Sequence, residues 1–168
     1  MNLLKSTRIT YCPATPALLE QLWARTVARH PEDRRWRVWR EEALYNNRTG
    51  RSQTFLILAD GVPIGEGTLL FSPECSAIRG RLALADGKNV TNINALRIEK
   101  AWEGNGYISG LVRLMEETAR EMGYQRISIG VEEKELRNQA IYRHWGYEDS
   151  LFREEEDGEV VLYYEKKL

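Results

Sequence analysis

The sequence predicts a mixed α+β fold, with a largely antiparallel sheet that contains one central parallel pair of strands and carries helices on both faces. The apolar residues alternate between periods of two and about 3.6 along the chain, which is typical of interleaved strands and helices. Asp-Gly pairs at 60–61 and 157–158 separate strand-like segments and favour tight hairpins. A strand, a glycine turn, a helix and a second strand span residues 92–131, which predicts two parallel neighbouring strands.

The element order expected along the chain is β-α-α-β-β-β-α-β-α-β-β. The first strand lies in RITYCPA, and Thr15 then caps a helix over residues 16–29. A second helix carries several tryptophans, and a short helix from about Glu135 to His144 precedes the C-terminal hairpin. The clearest helix begins near Tyr107 and ends before Gly123. Its apolar face is predicted to consist of Ile108, Leu111, Val112, Met115, Ala119 and Met122.

Length, charge and cysteine usage narrow the classes of protein. The 168 residues contain no repeat or linker, so we expect a single domain over 1–168. A net charge of -1 gives no electrostatic footprint for nucleic acid or an anionic membrane, and we expect neither as a partner. The opening MNLLKSTRITYC lacks the features of a signal peptide, which predicts a cytoplasmic protein. Cys12 and Cys75 provide neither a disulfide framework nor metal-ligand spacing, so no metal is expected.

The turn at Gly104-Asn105-Gly106 lies between a strand and the helix that begins near Tyr107. Glycine allows a left-handed backbone and a close approach to a ligand. The unpaired N–H groups at the start of a helix, together with its macrodipole, favour an anion such as a pyrophosphate. Ordinary strand-to-helix turns also use glycine, so this turn by itself leaves a purely structural role open. Neither the three-glycine dinucleotide fingerprint nor a P-loop is present.

Two longer stretches resemble the GNAT superfamily of acyl-CoA-dependent N-acetyltransferases. The stretch 96–111 (LRIEKAWEGNGYISGL) resembles the acyl-CoA-binding segment of that family, and 140–147 (AIYRHWGY) resembles its later motif. The element order agrees as well, so the resemblance covers essentially the whole chain. It implies acetyl-CoA as co-substrate and a central parallel strand pair that splays apart. The implied cofactor-binding residues are Leu96, Arg97, Ile98, Glu103, Gly104, Asn105, Gly106, Tyr107, Ile108, Ser109 and Asn138.

Three positions depart from the family pattern. Glu103 stands where the family usually has Arg or Gln, and Ile108 stands where it has Gly or Ala. The family's helix often carries an Asn two turns before its Tyr, where this chain has Glu135. Asn138, one turn before Tyr142, is therefore a candidate for contacting the pantetheine arm. We call the glycine turn and the helix start that follows it, residues 103–109, the cradle. An acidic side chain and a branched one within it leave open how well a pyrophosphate binds.

The resemblance also implies a mechanism of direct attack within a ternary complex. A neutral amine must attack the thioester, and the departing thiolate must be protonated or stabilised. Tyr142 is the candidate acid for the sulfur of CoA. Glu66, on a strand of the central sheet, and Glu99, at the end of the strand before the cradle, are the candidate bases. No acyl-enzyme is needed, so neither cysteine is expected to act as a nucleophile.

The acceptor and the competing functions stay open from sequence. The expected acceptor is a primary amine of a small molecule, a protein N-terminus or a lysine. The tryptophans at 23, 36 and 39 and the connection 72–91 are expected to shape its site. The arginines at 34–40, 79 and 81 favour an acidic acceptor, whereas a cationic one needs an acid-lined cleft. A non-catalytic acyl-CoA-binding or regulatory module and a cofactor-free interaction domain are the alternatives, and a homodimer is left open.

Overall fold

The computed structural model describes residues 6–168; residues 1–5, on which part of the signal-peptide interpretation rests, lie outside the described residues. The described residues form seven strands, four α-helices and one 3-10 turn in the predicted order. Their bounds are β1 (Ile9–Pro13), α1 (Pro16–Ala28), α2 (Arg35–Thr49), β2 (Ser52–Ala59), β3 (Val62–Leu70), β4 (Val90–Ile98), the 3-10 turn Lys100–Trp102, α3 (Tyr107–Glu121), β5 (Arg126–Glu132), α4 (Leu136–His144), β6 (Asp149–Glu156) and β7 (Glu159–Lys167).

The seven strands form one mixed sheet in the order β1-β2-β3-β4-β5-β7-β6. The β1–β2, β5–β7 and β6–β7 pairs are antiparallel. The β4–β5 pair is parallel, with a register that runs from Val90 opposite Arg126 to Ile93 opposite Ile129. The predicted fold class and the parallel pairing of these two strands are therefore confirmed. The last strand of the chain, β7, lies inside the sheet between β5 and β6.

Both predicted hairpin turns form at the Asp-Gly pairs. Asp60 and Gly61 have φ values of 48° and 82°, and Asp157 and Gly158 have 52° and 81°. Two consecutive left-handed residues define the type I′ turn, whose twist matches that of antiparallel strands. These four residues thus fix the register of the β2–β3 and β6–β7 connections.

The helices begin and end close to the predicted residues. Thr15 caps α1, since its Oγ1 accepts a hydrogen bond from the Leu18 N–H at 3.2 Å, and Pro16 is the first helical residue. The predicted apolar face of α3 is buried at Leu111, Val112, Met115 and Ala119. Met122 was wrongly placed on that face and is 53% exposed, because α3 ends at Glu121 before the turn at Gly123. None of the helices in residues 6–168 is both long enough and apolar enough to cross a membrane.

The described residues group into two compact units, which are taken in turn. The first comprises the described part of Met1–Thr68 together with Ala95–Met115, and the second comprises Leu69–Asn94 and Glu116–Leu168. The core of the first unit includes Leu19 and Trp23 of α1, residues 55–57 of β2, and Leu111 of α3. The expectation of a single domain stays a prediction.

An arginine stabilises the loop of the second unit that precedes β4. Arg81 forms ion pairs with Glu154 at 2.8 Å and Glu156 at 2.9 Å, and its guanidinium lies 4.9 Å from the ring centroid of Tyr163. It also donates hydrogen bonds to the carbonyls of Ala77 and Ile78. Acidic residues of β6 already bind this guanidinium, so Arg81 adds no support for an acidic acceptor, a question that the sequence leaves open. The neighbouring Arg79 lies 3.9 Å from Glu156.

Within the first unit, β1 and α3 approach closely at Gly110. A Cβ built on Gly110 would lie 2.6 Å from Cζ and 3.0 Å from Cε2 of Tyr11. Separations this short force the ring or the helix to move. Gly110 therefore has a packing reason to be glycine, although it lies inside a helix.

We expect Gly110→Ala to destabilise the protein by about 1–3 kcal/mol through overpacking against the Tyr11 ring. In a Tyr11→Ala background the same substitution should stabilise by up to about 1 kcal/mol, because alanine favours a helix over glycine. Urea unfolding of the four proteins of this double-mutant cycle measures the coupling. Equal effects of Gly110→Ala in the two backgrounds would contradict the packing explanation.

Candidate active site

The predicted cradle forms the turn between the 3-10 turn and α3. Gly104 and Gly106 have φ values of 79° and 76°, in the left-handed region that glycine adopts without strain. A Cβ built on either residue would find nothing within 4 Å. The side chain of Asn105 donates to the carbonyls of Trp102 at 3.0 Å and Glu103 at 3.2 Å, which holds the turn together. The glycines are therefore required by backbone conformation, and the space beside them is open.

The start of α3 supplies hydrogen-bond donors. The first intrahelical bond runs from Gly110 N–H to the Gly106 carbonyl at 3.4 Å. The N–H groups of Tyr107, Ile108 and Ser109 precede it and have no carbonyl one turn back along the helix. These donors, together with the positive end of the macrodipole, favour an anion at the turn. Glu103 differs, because its N–H is donated to the Lys100 carbonyl at 3.2 Å within the 3-10 turn.

Strand β4 contains a left-handed residue that no local sequence pattern predicts. Ala95 has a φ of 56°, and an alanine in this region costs about 1–2 kcal/mol. A single left-handed residue inside a strand is typical of a β-bulge, which redirects the side chains that follow. Beyond Ala95, the Leu96 side chain lies beside Gly67 in the direction of α3, whereas Arg97 reaches Glu66.

Glu66 and Arg97 form a partly buried ion pair between β3 and β4. The Nε of Arg97 donates to Oε1 of Glu66 at 3.0 Å, and Nη2 makes a second, very short contact with the same oxygen. The Glu66 side chain is only 6% exposed, while that of Arg97 is 38% exposed. Burial raises the pKa of Glu66 above its usual value, although the Arg97 charge and hydrogen bond act in the opposite direction. A buried carboxylate with a raised pKa, held by one oxygen, is suited to exchange a proton through the other.

Two tryptophan rings pack against the Arg97 guanidinium. Its central carbon lies 5.5 Å from the ring centroid of Trp23 on α1 and 5.4 Å from that of Trp36 on α2. His30 stacks on Trp36 with the centroids 4.0 Å apart and the planes nearly parallel. Arginine gains both cation–π attraction and stacking on such faces. Trp39, the third tryptophan expected to shape the acceptor site, packs edge-on against Trp36 and is 41% exposed.

Glu99, the other candidate base, is bound by two arginines of α1. Its Oε1 accepts hydrogen bonds from Arg25 at 2.8 Å and Arg29 at 3.0 Å. Arg25 also donates to the carbonyl of Pro63, and Glu99 N–H bonds the carbonyl of Ile64. These contacts join α1 to β3 and to the end of β4, so Glu99 has a clear structural role.

In the second unit, α4 carries Asn138 and the candidate acid. Burial, and to a lesser extent the charge of Glu135, raises the pKa of Tyr142 above its usual value. The phenol therefore stays protonated at neutral pH, as a proton donor must. Its ring stacks on Trp145 at 5.7 Å between centroids. The side-chain amide of Asn138 donates to the Glu135 carboxylate, a local bond within the first turn of the helix.

The Gly-aromatic pair that follows α4 is structural in this unit. Gly146 has a φ of 97°, and the Tyr147 ring is buried. Its hydroxyl donates to Glu116 at 3.1 Å, and Lys166 pairs with the same carboxylate at 2.7 Å. Burial raises the pKa of Tyr147, so this hydroxyl stays a donor.

The structure brings some of the sequence candidates together. Glu66 and Arg97 are in direct contact, and Leu96 to Ser109 run from β4 through the cradle into α3 within the first unit. The side-chain role of Arg97 and its contacts with the tryptophans were missed. The Glu99–Ile64 backbone bond places Glu66 opposite Arg97, so only knowledge of the β3–β4 register could have revealed the pair. Among residues 6–168, no group of three His, Cys, Asp or Glu side chains is arranged to hold a metal ion.

The chain matches a known family and known structures. The model of the acetyltransferase (GNAT) family matches residues 15–147. A ribosomal-protein-alanine N-acetyltransferase from Brucella melitensis is 17% identical, with a TM-score of 0.69 over 95% of this chain and 99% of that one. An N-acetyltransferase from Thermoplasma acidophilum, in complex with coenzyme A, is 16% identical, with a TM-score of 0.65 over 96% and 99%.

A third similar structure is an acetyl transferase from Salmonella typhimurium that modifies the N-terminal serine of 50S ribosomal subunit protein L7/L12. It is 13% identical, with a TM-score of 0.66 over 98% of this chain and 96% of that one. No protein of curated function matches the sequence. The family match spans most of the chain, so the protein belongs to the acetyltransferase (GNAT) family.

Loss of the cation beside Glu66 should be costly. Removing one partner of a fully buried pair costs about 3–5 kcal/mol, and since Arg97 is 38% exposed we expect about 1–3 kcal/mol for Arg97→Met. Without its cation, Glu66 should have a pKa still further above the unfolded value. Below the unfolded pKa the neutral form of Glu66 is present in both states. As the pH rises above 4.5, the unfolded chain ionises first and stability is lost, so the deficit should grow with pH.

Urea unfolding at several pH values measures this deficit. Arg35→Met is the matched control, because Arg35 also pairs with a carboxylate and lies 5.6 Å from the centroid of a tryptophan ring, but at the surface. It should cost less than about 1 kcal/mol, since exposed pairs contribute little. A deficit in Arg97→Met that stays constant with pH would show that Glu66 is not the group responsible.

Proposed function

We propose that the protein transfers an acetyl group from acetyl-CoA to a primary amine by direct attack within a ternary complex. The observation that carries this proposal is the turn at Gly104 and Gly106, where left-handed glycines, open space and the donors of α3 coincide. The membership of the chain in the acetyltransferase family also supports the proposal. Coenzyme A bound to the similar Thermoplasma acidophilum protein supports the choice of cofactor.

The cradle residues divide into two roles in this proposal. The backbone of Leu96, Arg97 and Ile98 lies alongside the acyl arm, while the N–H groups from Gly106 to Ser109 bind the pyrophosphate. Asn105 holds the turn in shape. Glu103 contributes backbone shape only, since its N–H bonds Lys100 and its carboxylate gains nothing from a phosphate. Asn138 is kept as a contact for the pantetheine arm.

Glu66 is the base that this proposal favours. Both Arg97 contacts fall on its Oε1, which leaves Oε2 to accept a proton from the amine or through a water. The raised pKa brings the carboxylate closer to the range in which proton transfer is efficient. The amine nitrogen then attacks the thioester carbonyl carbon, and the carbon–sulfur bond breaks as the amide forms. Glu99 holds α1 in place through Arg25 and Arg29.

Tyr142 is the acid that this proposal assigns to the leaving thiolate. Its hydroxyl gives its proton to the sulfur, and the resulting phenolate regains a proton from water. The raised pKa keeps the phenol protonated through the neutral range. The acceptor is an amine of a small molecule or of a peptide N-terminus, the latter supported by the activity named for the Brucella melitensis and Salmonella typhimurium proteins.

We expect acetyl-CoA to stabilise the folded protein, by about 2.7 kcal/mol at one hundred times its dissociation constant. Gly106→Val should abolish most of this shift, because a β-branched residue does not adopt the left-handed backbone. Gly106→Asn should retain a larger share, since asparagine tolerates that conformation. Thermal melting with and without acetyl-CoA measures the three shifts. If acetyl-CoA stabilised Gly106→Val as much as the wild type, the pyrophosphate would have to bind at another site.

The pH dependence of turnover tests the acid and the base together. The raised pKa of Glu66 places the acid limb above pH 4.5, and the raised pKa of Tyr142 places the alkaline limb above pH 10. Glu66→Gln and Tyr142→Phe should each lower kcat about a hundredfold or more, and each should remove its own limb. Cofactor affinity should change far less.

The measurement is free-thiol release from acetyl-CoA over an amine panel, with the known titration of each amine divided out of the profile. Near wild-type kcat in Tyr142→Phe would show that water or backbone stabilises the sulfur. A variant Glu66→Gln that keeps its acid limb would remove Glu66 as the base. Stabilisation by acetyl-CoA without thiol release for any amine would identify a non-catalytic binding module.

A further inference from the structure

The Arg97 guanidinium is held by two tryptophan rings and, along one edge, by a carboxylate. Trp23 and Trp36 pack against it, and its Nε and Nη2 atoms bond Glu66. The side chain is nevertheless 38% exposed. Since the Nε–Nη2 edge faces Glu66, the Nη1 end is the part left to meet a ligand. A guanidinium held this way presents the outward N–H groups of Nη1 and Nη2 as a fixed pair of donors, which suits the two oxygens of a carboxylate.

The charges around this group favour an anion. Two ion-paired groups of the first unit meet the chain at positions two residues apart, Arg97 with Glu66 and Glu99 with Arg25 and Arg29. Arg25 and Arg29 share the single carboxylate of Glu99, so the three arginines and two glutamates of these groups sum to a net positive charge. The tryptophan faces that would attract a cationic ligand are occupied by Arg97 itself. A ligand with only positive charge therefore finds neither an open aromatic face nor a surplus of carboxylates.

We propose that Arg97 binds a carboxylate of the acceptor, so that the enzyme prefers amines that carry a carboxylate close to the amino group. This inference rests on the proposed acetyl transfer and on Glu66 as the base. Glu66 and Arg97 lie side by side, so an amine at the former and a carboxylate at the latter can belong to one small molecule. A free α-amino acid offers this chemistry, and so does a peptide N-terminus followed by an acidic side chain.

The test compares acceptors in pairs in which an amide replaces the carboxylate, with kcat/KM expressed per neutral amine, because a nearby carboxylate also changes the pKa of the amine. The first pair is alanine and alaninamide, and the second is the C-terminally amidated tripeptides Ala-Asp-Ala and Ala-Asn-Ala. The ratio of kcat/KM within each pair cancels effects common to both acceptors. We expect the wild-type enzyme to favour the carboxylate in at least one pair by about tenfold to a hundredfold, as hydrogen bonds to a charged group do. The pair that shows the preference identifies the source of the carboxylate.

Three variants assign the preference to a residue. Arg97→Gln should bring the ratio close to one, and Arg97→Lys, which keeps the charge but loses the planar pair of donors, should give a lower ratio than the wild type. Arg35→Gln is the matched control and should keep the wild-type ratio, because Arg35 contacts Trp39 and Asp33 at the surface. Should Arg97→Gln fail to fold, the kcat/KM ratio of Arg97→Lys tests the assignment, and a ratio below that of the wild type supports it.

The outcomes distinguish failure of this inference from failure of the proposed acetyl transfer. A wild-type ratio near one in both pairs overturns the inference, while thiol release still supports acetyl transfer. A preference that survives in Arg97→Gln, or in Arg97→Lys if that is the folded variant, shows that another group binds the carboxylate. Absence of thiol release with every amine refutes the proposed function and the inference together.

Discussion

The contact between Glu66 and Arg97 is the constraint on which the first unit's site depends. A carboxylate buried in β3 needs a cation, and β4 supplies one from the directly opposite position. Trp23 of α1 and Trp36 of α2 in turn pack against this cation. One ion pair thus relates two strands and two helices. Glu99 repeats the arrangement at the end of β4, where Arg25 and Arg29 reach it from α1.

The strained residue of β4 makes this arrangement compatible with a packed helix on the other side of the strand. Ala95 takes a left-handed conformation at a cost, and the side chains beyond it are thereby redirected. Leu96 fills the space beside Gly67, Leu111 and Met115, and Arg97 reaches Glu66. Strain of this kind persists only where the surroundings determine the backbone, which is common at functional sites. As a result, β4 both carries Arg97 of the charged pair and leads into the cradle.

Local patterns predicted the elements well, because each carries its own signal. The Asp-Gly turns, the Thr15 cap and the glycines of the cradle act through the backbone of a few residues. The pairing of β3 with β4 is different, because it sets the partners of Glu66 and Arg97 through register rather than through local propensity. Ala95 gave no signal, since alanine is not a turn residue. The ion-pair partners of Arg81 and Arg97 were not predicted for one reason: they are distant in sequence.

The binding of Arg81 to the C-terminal hairpin also has a consequence for synthesis of the chain. Its partner Glu154 is 73 positions further along. At about 5–20 residues per second, the ribosome completes that interval in roughly 4–15 s, long after Arg81 has emerged. Until then the segment that precedes β4 lacks the carboxylates that bind its guanidinium, and Cys75, Ile78 and Leu84 lack the cover of Tyr163. The loop that appears mid-chain is therefore completed last, when β6 and β7 arrive.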